Sequence, residues 1–208
     1  MGYYFLAIEY TNGNFYLGDI IEITLLSKDS GNVFHVYIKI KCDIPQEITF
    51  HSGISNHMLS NFEFCFSCAM DKLICFVHKE NKHHVTPPMI ISHGGYHHAF
   101  PMFLANCLKH KFDYKIRLKD WTFVDSMLQF KGEGFVESNL RSLCHLIGLP
   151  RNICFTSRYN VDYLKDVLMY YPDVVLNYPY KYTLTDIERF LYEKLPIKIS
   201  TICELATL

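Results

Sequence analysis

The chain has 208 residues, half of them apolar and a fifth charged, which provides for a large core and argues against global disorder. The formal charge of −1 leaves no overall basic field that would draw the protein to nucleic acid, so any such site must be local. No apolar run approaches the roughly 20 residues of a membrane span, and no basic segment precedes the first apolar run. We therefore expect an intracellular protein, cytoplasmic or nuclear, with no membrane partner.

The first part of the chain predicts a meander of three strands followed by a helix. Apolar runs that begin at Tyr3, Asp19 and Val33 follow one another at hairpin distance. Asn12-Gly13 turns the chain after the first run. A polar loop comes next, and apolar residues then recur at helical spacing from Phe62 to Phe76.

The remainder of the chain alternates short strands with helices. The predicted elements are the strand Met89–Ser92, the helix Ala99–Lys109, the strand Trp121–Asp125 and the helices Ser138–Ile147 and Tyr159–Met169. Three antiparallel strands followed by parallel strands and helices are an α/β order that matches the ribonuclease-H-like layout, a mixed sheet with helices on both faces. We expect one domain over residues 1–170, followed by a C-terminal helical extension, residues 171–208, that packs on it.

Six short segments carry motifs that can be compared with known families. They are Ala7–Thr11, Ile20–Ile23, His51–Leu59, Ser92–Phe100, Phe123–Ser126 and Leu140–Gly148. In this order they resemble the motifs of the DnaQ-like (DEDDh) 3′–5′ exonuclease superfamily, and the resemblance extends from about Tyr3 to Met169. It implies the ribonuclease-H-like fold of that superfamily.

The resemblance also implies a site in which four carboxylates hold two divalent metal ions and a histidine acts as general base. Glu9 matches the second acid and Asp162 the last, whereas Ala7 takes the place of the first. The third acid falls beside His98, and Ser157 takes the place of the general base. Two carboxylates of four leave the charge of two Mg²⁺ ions poorly neutralised. We therefore expect no cofactor, with Mg²⁺ or Mn²⁺ bound only if the protein is active.

The leading functional hypothesis is a catalytically degenerate, exonuclease-like protein that serves as an accessory factor. It would bind RNA or single-stranded DNA, or a protein partner, without cleavage. One alternative is an active metal-dependent 3′–5′ exonuclease with a non-standard site. A second alternative is a protein-binding scaffold that reuses the fold.

A single basic segment with interleaved aromatic residues is the candidate nucleic-acid contact. Its cations would follow a phosphate backbone while an aromatic ring stacks on a base. The alternative is a solvated loop between a helix and a strand. The candidate residues are Lys109, Lys111, Tyr114, Lys115 and Arg117.

Two groups of metal-ligating residue types were weighed against simpler interpretations, and neither leads us to predict a metal site. His97 and His98 near Glu9 and Asp162 would suit a transition metal, but histidines on a partly exposed turn are the favoured interpretation. Cys65, Cys68, Cys75 and His78 have spacings like those of zinc ligands. They fall within a predicted helix, with Cys65 and Cys68 near its buried stripe, so a core helix is favoured.

The cysteines as a set carry two further expectations. All eight lie in apolar surroundings, which predicts reduced and mostly buried thiols. Glu22, His51 and a late cysteine, Cys144 or Cys154, are similar to the structural zinc ligands of the Maelstrom domain, a family that resembles an exonuclease fold without its acids. This second resemblance implies that an RNA-related role can persist after the catalytic set is lost.

Overall fold

The structure is a computed structural model that describes residues 2–150, 156–176 and 180–194. One mixed sheet runs through these residues, and its strands are β1 (Tyr3–Tyr10), β2 (Ile20–Ser27), β3 (Val33–Tyr37), β4 (Met89–Ser92), β5 (Thr122–Asp125) and β6 (Lys181–Tyr182). Their order is β3-β2-β1-β4-β5-β6. Strands β1, β4 and β5 are parallel, whereas β2, β3 and β6 pair antiparallel with their neighbours. The predicted α/β arrangement is confirmed.

Helices lie on both faces of this sheet. They are α1 (Gln46–Ser52), α2 (Asn56–Ser60), α3 (Phe66–Asn81), α4 (Phe100–Lys109), α5 (Tyr114–Arg117), α6 (Ser126–Gly132), α7 (Leu140–Leu146), α8 (Ser157–Tyr170), α9 (Pro172–Leu176) and α10 (Leu184–Lys194). A π-helical turn, Gly95–Ala99, leads directly into α4.

The side chains of β1 alternate between two hydrophobic cores because successive residues of a strand point to opposite faces. Tyr4, Leu6 and Ile8 join buried residues of α3, α4 and α10 in the larger core. Phe5 lies in the second core, with buried residues of α6, α7 and α8. The central strand is therefore covered on both sides, as its almost continuous apolar sequence predicts.

Most predicted elements are present, and their ends differ for local reasons. β3 ends at Tyr37 rather than Ile40 because the Lys39 amide donates to the Phe64 carbonyl, which takes the chain away from β2. Helix α3 continues to Asn81, beyond the predicted end near Phe76, because Val77 still faces the core while the polar side chains point outwards.

The expectation of mostly buried thiols is wrong for the cysteines that the structure describes. Cys107 and Cys144 are buried, as expected. The other four described cysteines are exposed, namely Cys42, Cys65, Cys68 and Cys75. Cys65 lies before the first turn of α3 as its N-cap, and Cys68 points to solvent, so neither belongs to the buried stripe of that helix. Cys154 and Cys203 lie outside the described residues.

The C-terminal part of the described chain contributes to both the sheet and the core. β6 pairs with β5 through Phe123 and Tyr182, and through Val124 and Lys181. Three residues of α10 are buried in the larger core, Leu184, Ile187 and Leu191. The domain boundary expected at residue 170 stays a prediction.

None of the helices in the described ranges is long and apolar enough to cross a membrane.

Candidate functional site

A cleft opens where β1 and β4 end, next to α8. It has a volume of about 220 Å³. The carboxyl ends of parallel strands in an open α/β sheet are the usual place for a ligand, because the loops that follow the strands diverge there. Its lining includes Ala7, Tyr10, Ser92, His93, His98 and Asn160.

A second, more open cavity of about 540 Å³ lies beside this cleft, and His98 lines both. Its walls come from the β1–β2 loop, the π-helical turn and α10. They carry Phe15, Tyr16, His97, His98, Phe190 and Lys194. We call the two cavities together the shared cleft. Aromatic rings, imidazoles and one ammonium group therefore surround a space of nucleotide size.

The π-helical turn is held in place by the carboxylate of Asp125. Its Oδ1 accepts a hydrogen bond from the Gly94 amide at 3.0 Å, and its Oδ2 accepts one from the Tyr96 amide at 2.9 Å. Asp125 is fully buried and also caps the N-terminus of α6. The Tyr96 ring then stacks on Tyr182 with 4.0 Å between centroids and contacts Phe190 at 4.9 Å. The acid that ends β5 thus positions one wall of the shared cleft.

His93 supplies a neutral imidazole to the cleft. Burial lowers its pKa from 6.5 to about 4, and its Nδ1 lies 3.0 Å from the Ser126 hydroxyl. Analysis of the sequence did not single out this histidine. The signal that could have found it is its position directly after a buried strand.

Glu9 lies near the end of β1, directly opposite Glu22 of β2 in the antiparallel register. Burial, and then the negative charge of Glu22, raise the pKa of Glu9 from 4.5 to about 8. Its Oε1 accepts a hydrogen bond of 3.3 Å from the Asn160 side chain. Burial beside a second carboxylate therefore favours the protonated form of Glu9 at neutral pH when no cation lies next to it.

Glu22 holds the start of α8 against the sheet. Its Oε1 lies 2.7 Å from His35 Nε2, and its Oε2 accepts a hydrogen bond of 2.8 Å from the Ser157 amide. The Ser157 hydroxyl lies 2.5 Å from that of Thr24, and Ser157 is fully buried. Ser157 thus connects α8 to β2, and its hydroxyl is occupied by a structural contact.

Asp162 does not meet Glu9. Its side chain is 41% exposed, and its Oδ2 lies 3.4 Å from Arg158 Nε, one turn earlier on the outer face of α8. Asn160, two residues earlier and on the opposite side of α8, lines the cleft instead. His98 is exposed at the cleft, and neither Asp nor Glu is among the residues that line it.

Known proteins resemble this chain in fold rather than in sequence. No protein-family model matches the chain, and no curated protein matches its sequence. The structure of a 3′-exonuclease described for 3′-end specific recognition of a histone mRNA stem-loop has a TM-score of 0.69 at 13% identity, covering 83% of this chain and 81% of that chain. The nuclease domain of 3′hExo, a DEDDh family member bound to rAMP, has a TM-score of 0.67 at 15% identity, covering 87% and 97%. This chain has the fold of the DEDDh 3′ exonucleases. A full-length 3′-exonuclease is also similar, with a TM-score of 0.66 at 14% identity, and the match covers 85% of this chain and 62% of that one.

The four-carboxylate site of the DEDDh resemblance is not assembled by the described residues. They contain no group of three or more His, Cys, Asp or Glu side chains that could hold a metal ion. Of the two matched acids, Glu9 is not among the residues that line the cleft, and Asp162 is paired with Arg158 on the outer face of α8. The residues present therefore do not fit a pair of Mg²⁺ or Mn²⁺ ions.

The zinc ligands that the Maelstrom resemblance implies are not brought together by the described residues either. Glu22 is paired with His35, and Cys144 lies in the second core. His51 lies in the last turn of α1. These residues form no metal-holding group among the described ones, and Cys154 lies outside them.

Three cations of the basic segment form ion pairs with acidic side chains of the protein. Lys109 pairs with Asp19 at 2.8 Å, and Arg117 pairs with Asp71. Lys115 Nζ lies 3.3 Å from Glu188 on α10. These pairs reduce the positive potential that a phosphate backbone would meet.

The other two candidate residues of that segment are Tyr114 and Lys111. Tyr114 is 3% exposed and donates a hydrogen bond of 2.7 Å to Glu188, so its ring is not accessible to a base. Lys111 is exposed, in a turn where its φ is 53°. The structure does not bring this segment to the lining of the shared cleft.

Proposed function

We propose that this protein is a catalytically inactive relative of the DEDDh exonucleases that binds single-stranded nucleic acid in the shared cleft. The observation that carries the proposal is the absence of a carboxylate cluster at the cleft. No Asp or Glu lines it, Asp162 is paired with Arg158 on the outer face of α8, and the described residues form no group of three that could hold a metal ion.

The loss of cleavage follows from charge. Two divalent ions need several ionised carboxylates, because each ion must exchange part of its hydration shell for oxygen ligands. Ala7 offers a methyl group, Glu9 is not among the residues that line the cleft, and Asp162 is engaged with Arg158 at the surface. Ser157, at the place of the general base, is buried against Thr24. No step of metal-dependent hydrolysis can be assigned to this set.

Binding is supported by the aromatic and basic side chains that line the shared cleft. Phe15, Tyr16 and Phe190 offer rings on which bases can stack, and stacking is worth about 1–3 kcal/mol for each base. Lys194 offers a cation for a phosphate group. The similar structures include one described for recognition of an RNA 3′ end and one bound to rAMP, which agrees with a nucleotide ligand for this cleft.

The test is an incubation of labelled single-stranded RNA and DNA with the purified protein, in Mg²⁺, Mn²⁺ or EDTA. Strand length and band shift are read from the same samples. We expect a shift without shortening, and an equal shift in EDTA. Metal-dependent shortening that disappears in Glu9→Gln would establish the active exonuclease instead, whereas neither shift nor shortening would favour the protein-binding scaffold.

Phe190→Ala tests whether the cleft is the binding surface. Loss of one stacking ring should weaken binding by roughly 5- to 150-fold. The matched control is Phe50→Ala, which removes an equally large ring that is 81% exposed on α1. Charge reversal at Lys115 and Arg117 separates the cleft from the basic segment. We expect a smaller loss there, because both cations are already paired with acids.

A further inference from the structure

Two exposed cysteines form a close pair where α3 begins. Cys65 is the N-cap residue of this 16-residue helix, and Cys68 lies in its first turn. The two Sγ atoms are 3.0 Å apart, and the Cys68 amide donates to Cys65 Sγ at 3.4 Å. A disulfide bond is about 2.0 Å long, so closure requires the sulfurs to approach by only about 1 Å.

The backbone beneath the pair is anchored. Phe66, between the two cysteines, is 1% exposed and stacks on His110 with 4.9 Å between ring centroids. Ala69, the residue after Cys68, is fully buried in the larger core. The turn is therefore fixed by its apolar residues while both sulfurs face solvent, an arrangement that keeps the thiols together without any change of fold.

Capping does not explain the cysteine at position 65. Serine, threonine, aspartate and asparagine are the usual N-cap residues, because their oxygen atoms accept hydrogen bonds well, whereas a thiol is a weak acceptor. A metal site does not explain the pair either, since no third His, Cys, Asp or Glu joins it among the described residues. Zinc in a structural site has four protein ligands.

The two thiols differ in a way that suits sequential chemistry. Hydrogen bonding with Cys68 lowers the pKa of the Cys65 thiol, and the N–H groups at the start of the helix act in the same direction. The same contact raises the pKa of Cys68, because a thiol that donates to a thiolate retains its proton. Cys65 is thus the better nucleophile, and Cys68 is placed to attack second.

We propose that Cys65 and Cys68 form a redox-active dithiol that is oxidised reversibly to an intramolecular disulfide by small-molecule disulfides of the glutathione type. The Cys65 thiolate attacks one sulfur of the small disulfide, forms a mixed disulfide and releases one small thiolate. Cys68 loses its proton to solvent, and its thiolate attacks Cys65 Sγ, which releases the second small thiolate. Two protein thiols are oxidised and one small disulfide is reduced to two thiols. This chemistry is independent of the shared cleft.

The test uses the full chain, first reduced and then equilibrated with mixtures of oxidised and reduced glutathione. Free thiols are alkylated after an acid quench, and the intact mass is measured. We expect two thiols to become protected together as the mixture becomes oxidising, and to return on addition of dithiothreitol. Chymotryptic cleavage after Phe66 separates Cys65 from Cys68 in sequence, so the two fragments remain joined only if the disulfide links them.

Variants identify the order of the two steps. Cys68→Ser should retain one glutathione on Cys65, because the second attack is lost, and Cys65→Ser should react more slowly. Cys75→Ser is the matched control, an exposed cysteine on the same helix, and should behave as wild type. Two results would overturn the proposal: both thiols staying free at ratios that modify Cys75, or disulfides that join either cysteine to Cys42, to Cys75 or to another chain.

Discussion

Replacement of Glu9 by glutamine should make the protein more stable at neutral and alkaline pH. In the wild type the pKa of Glu9 is about 8 in the folded state, against an ordinary value of 4.5. The neutral acid is therefore favoured by folding. Its contribution to the free energy of unfolding is fully present below pH 4.5 and is lost as the pH rises towards 8. Glutamine has nearly the same shape, can still accept from Asn160 and never ionises.

The size of the effect follows from the same values. At 1.36 kcal/mol for each pKa unit, holding Glu9 in its buried position costs on the order of 3 kcal/mol at pH 7, where it is kept protonated, and levels off at roughly 5 kcal/mol above pH 8, where it is buried as the carboxylate. These are upper limits, because a relaxed or hydrated cleft lowers the cost of ionisation. The assay is urea unfolding of wild type and Glu9→Gln at pH 4.5, 7 and 9.

The difference between the two proteins isolates Glu9 from the other titrating groups. We expect it to be small at pH 4.5 and to grow in favour of the variant up to about pH 8. Asp162→Asn is the control, since that side chain is 41% exposed, and its difference should vary little. A difference for Glu9→Gln that is the same at all three pH values would refute the reasoning. The reasoning would also be refuted if Mg²⁺ raised the free energy of unfolding of the wild type but not that of Glu9→Gln. A ligand stabilises the folded state only if it binds there, so this result would establish a metal site that includes Glu9.

Three further substitutions test the contacts that hold the cleft in place. Asn106→Ala should lower the free energy of unfolding by roughly 2–3 kcal/mol in urea titrations, because its buried side chain accepts from the Ile20 amide at 3.1 Å. Asp125→Ala should cost about 3 kcal/mol or more and also weaken nucleic-acid binding in band-shift assays, since the π-helical turn loses its anchor. Tyr114→Phe should cost about 1 kcal/mol in urea titrations and leave binding unchanged, because the hydrogen bond to Glu188 is lost while the buried ring stays in place.

The parallel centre of the fold is predictable from sequence because strands covered on both faces read as apolar runs. Met89–Ser92 is found at the predicted residues, and Glu9 falls at the end of the first strand as expected. β6 was not predicted. A strand of two residues, Lys181 and Tyr182, is too short to show the alternation of apolar and polar side chains that identifies a strand. Its formation depends on pairing with the edge of β5.

The candidate site was harder to predict because side-chain direction and remote partners decide it. Asp162 occupies the position of a family acid, but Val161 and Leu164 face the core, and that phase turns Asp162 outwards. Tyr114 stands among lysines in sequence, yet its hydroxyl reaches Glu188, which is 74 residues away. Ion partners at such separations leave no local pattern, so a buried aromatic and an exposed stacking ring look alike in the sequence.

The shared cleft is formed by segments that are far apart in the sequence. One wall is the loop after β1, and another is α10, which carries Phe190 and Lys194. Three residues of α10 are also buried in the larger core, namely Leu184, Ile187 and Leu191. The helix that completes the cleft is therefore one that the domain needs for its stability. A change that loosens α10 should weaken the core and the binding surface together.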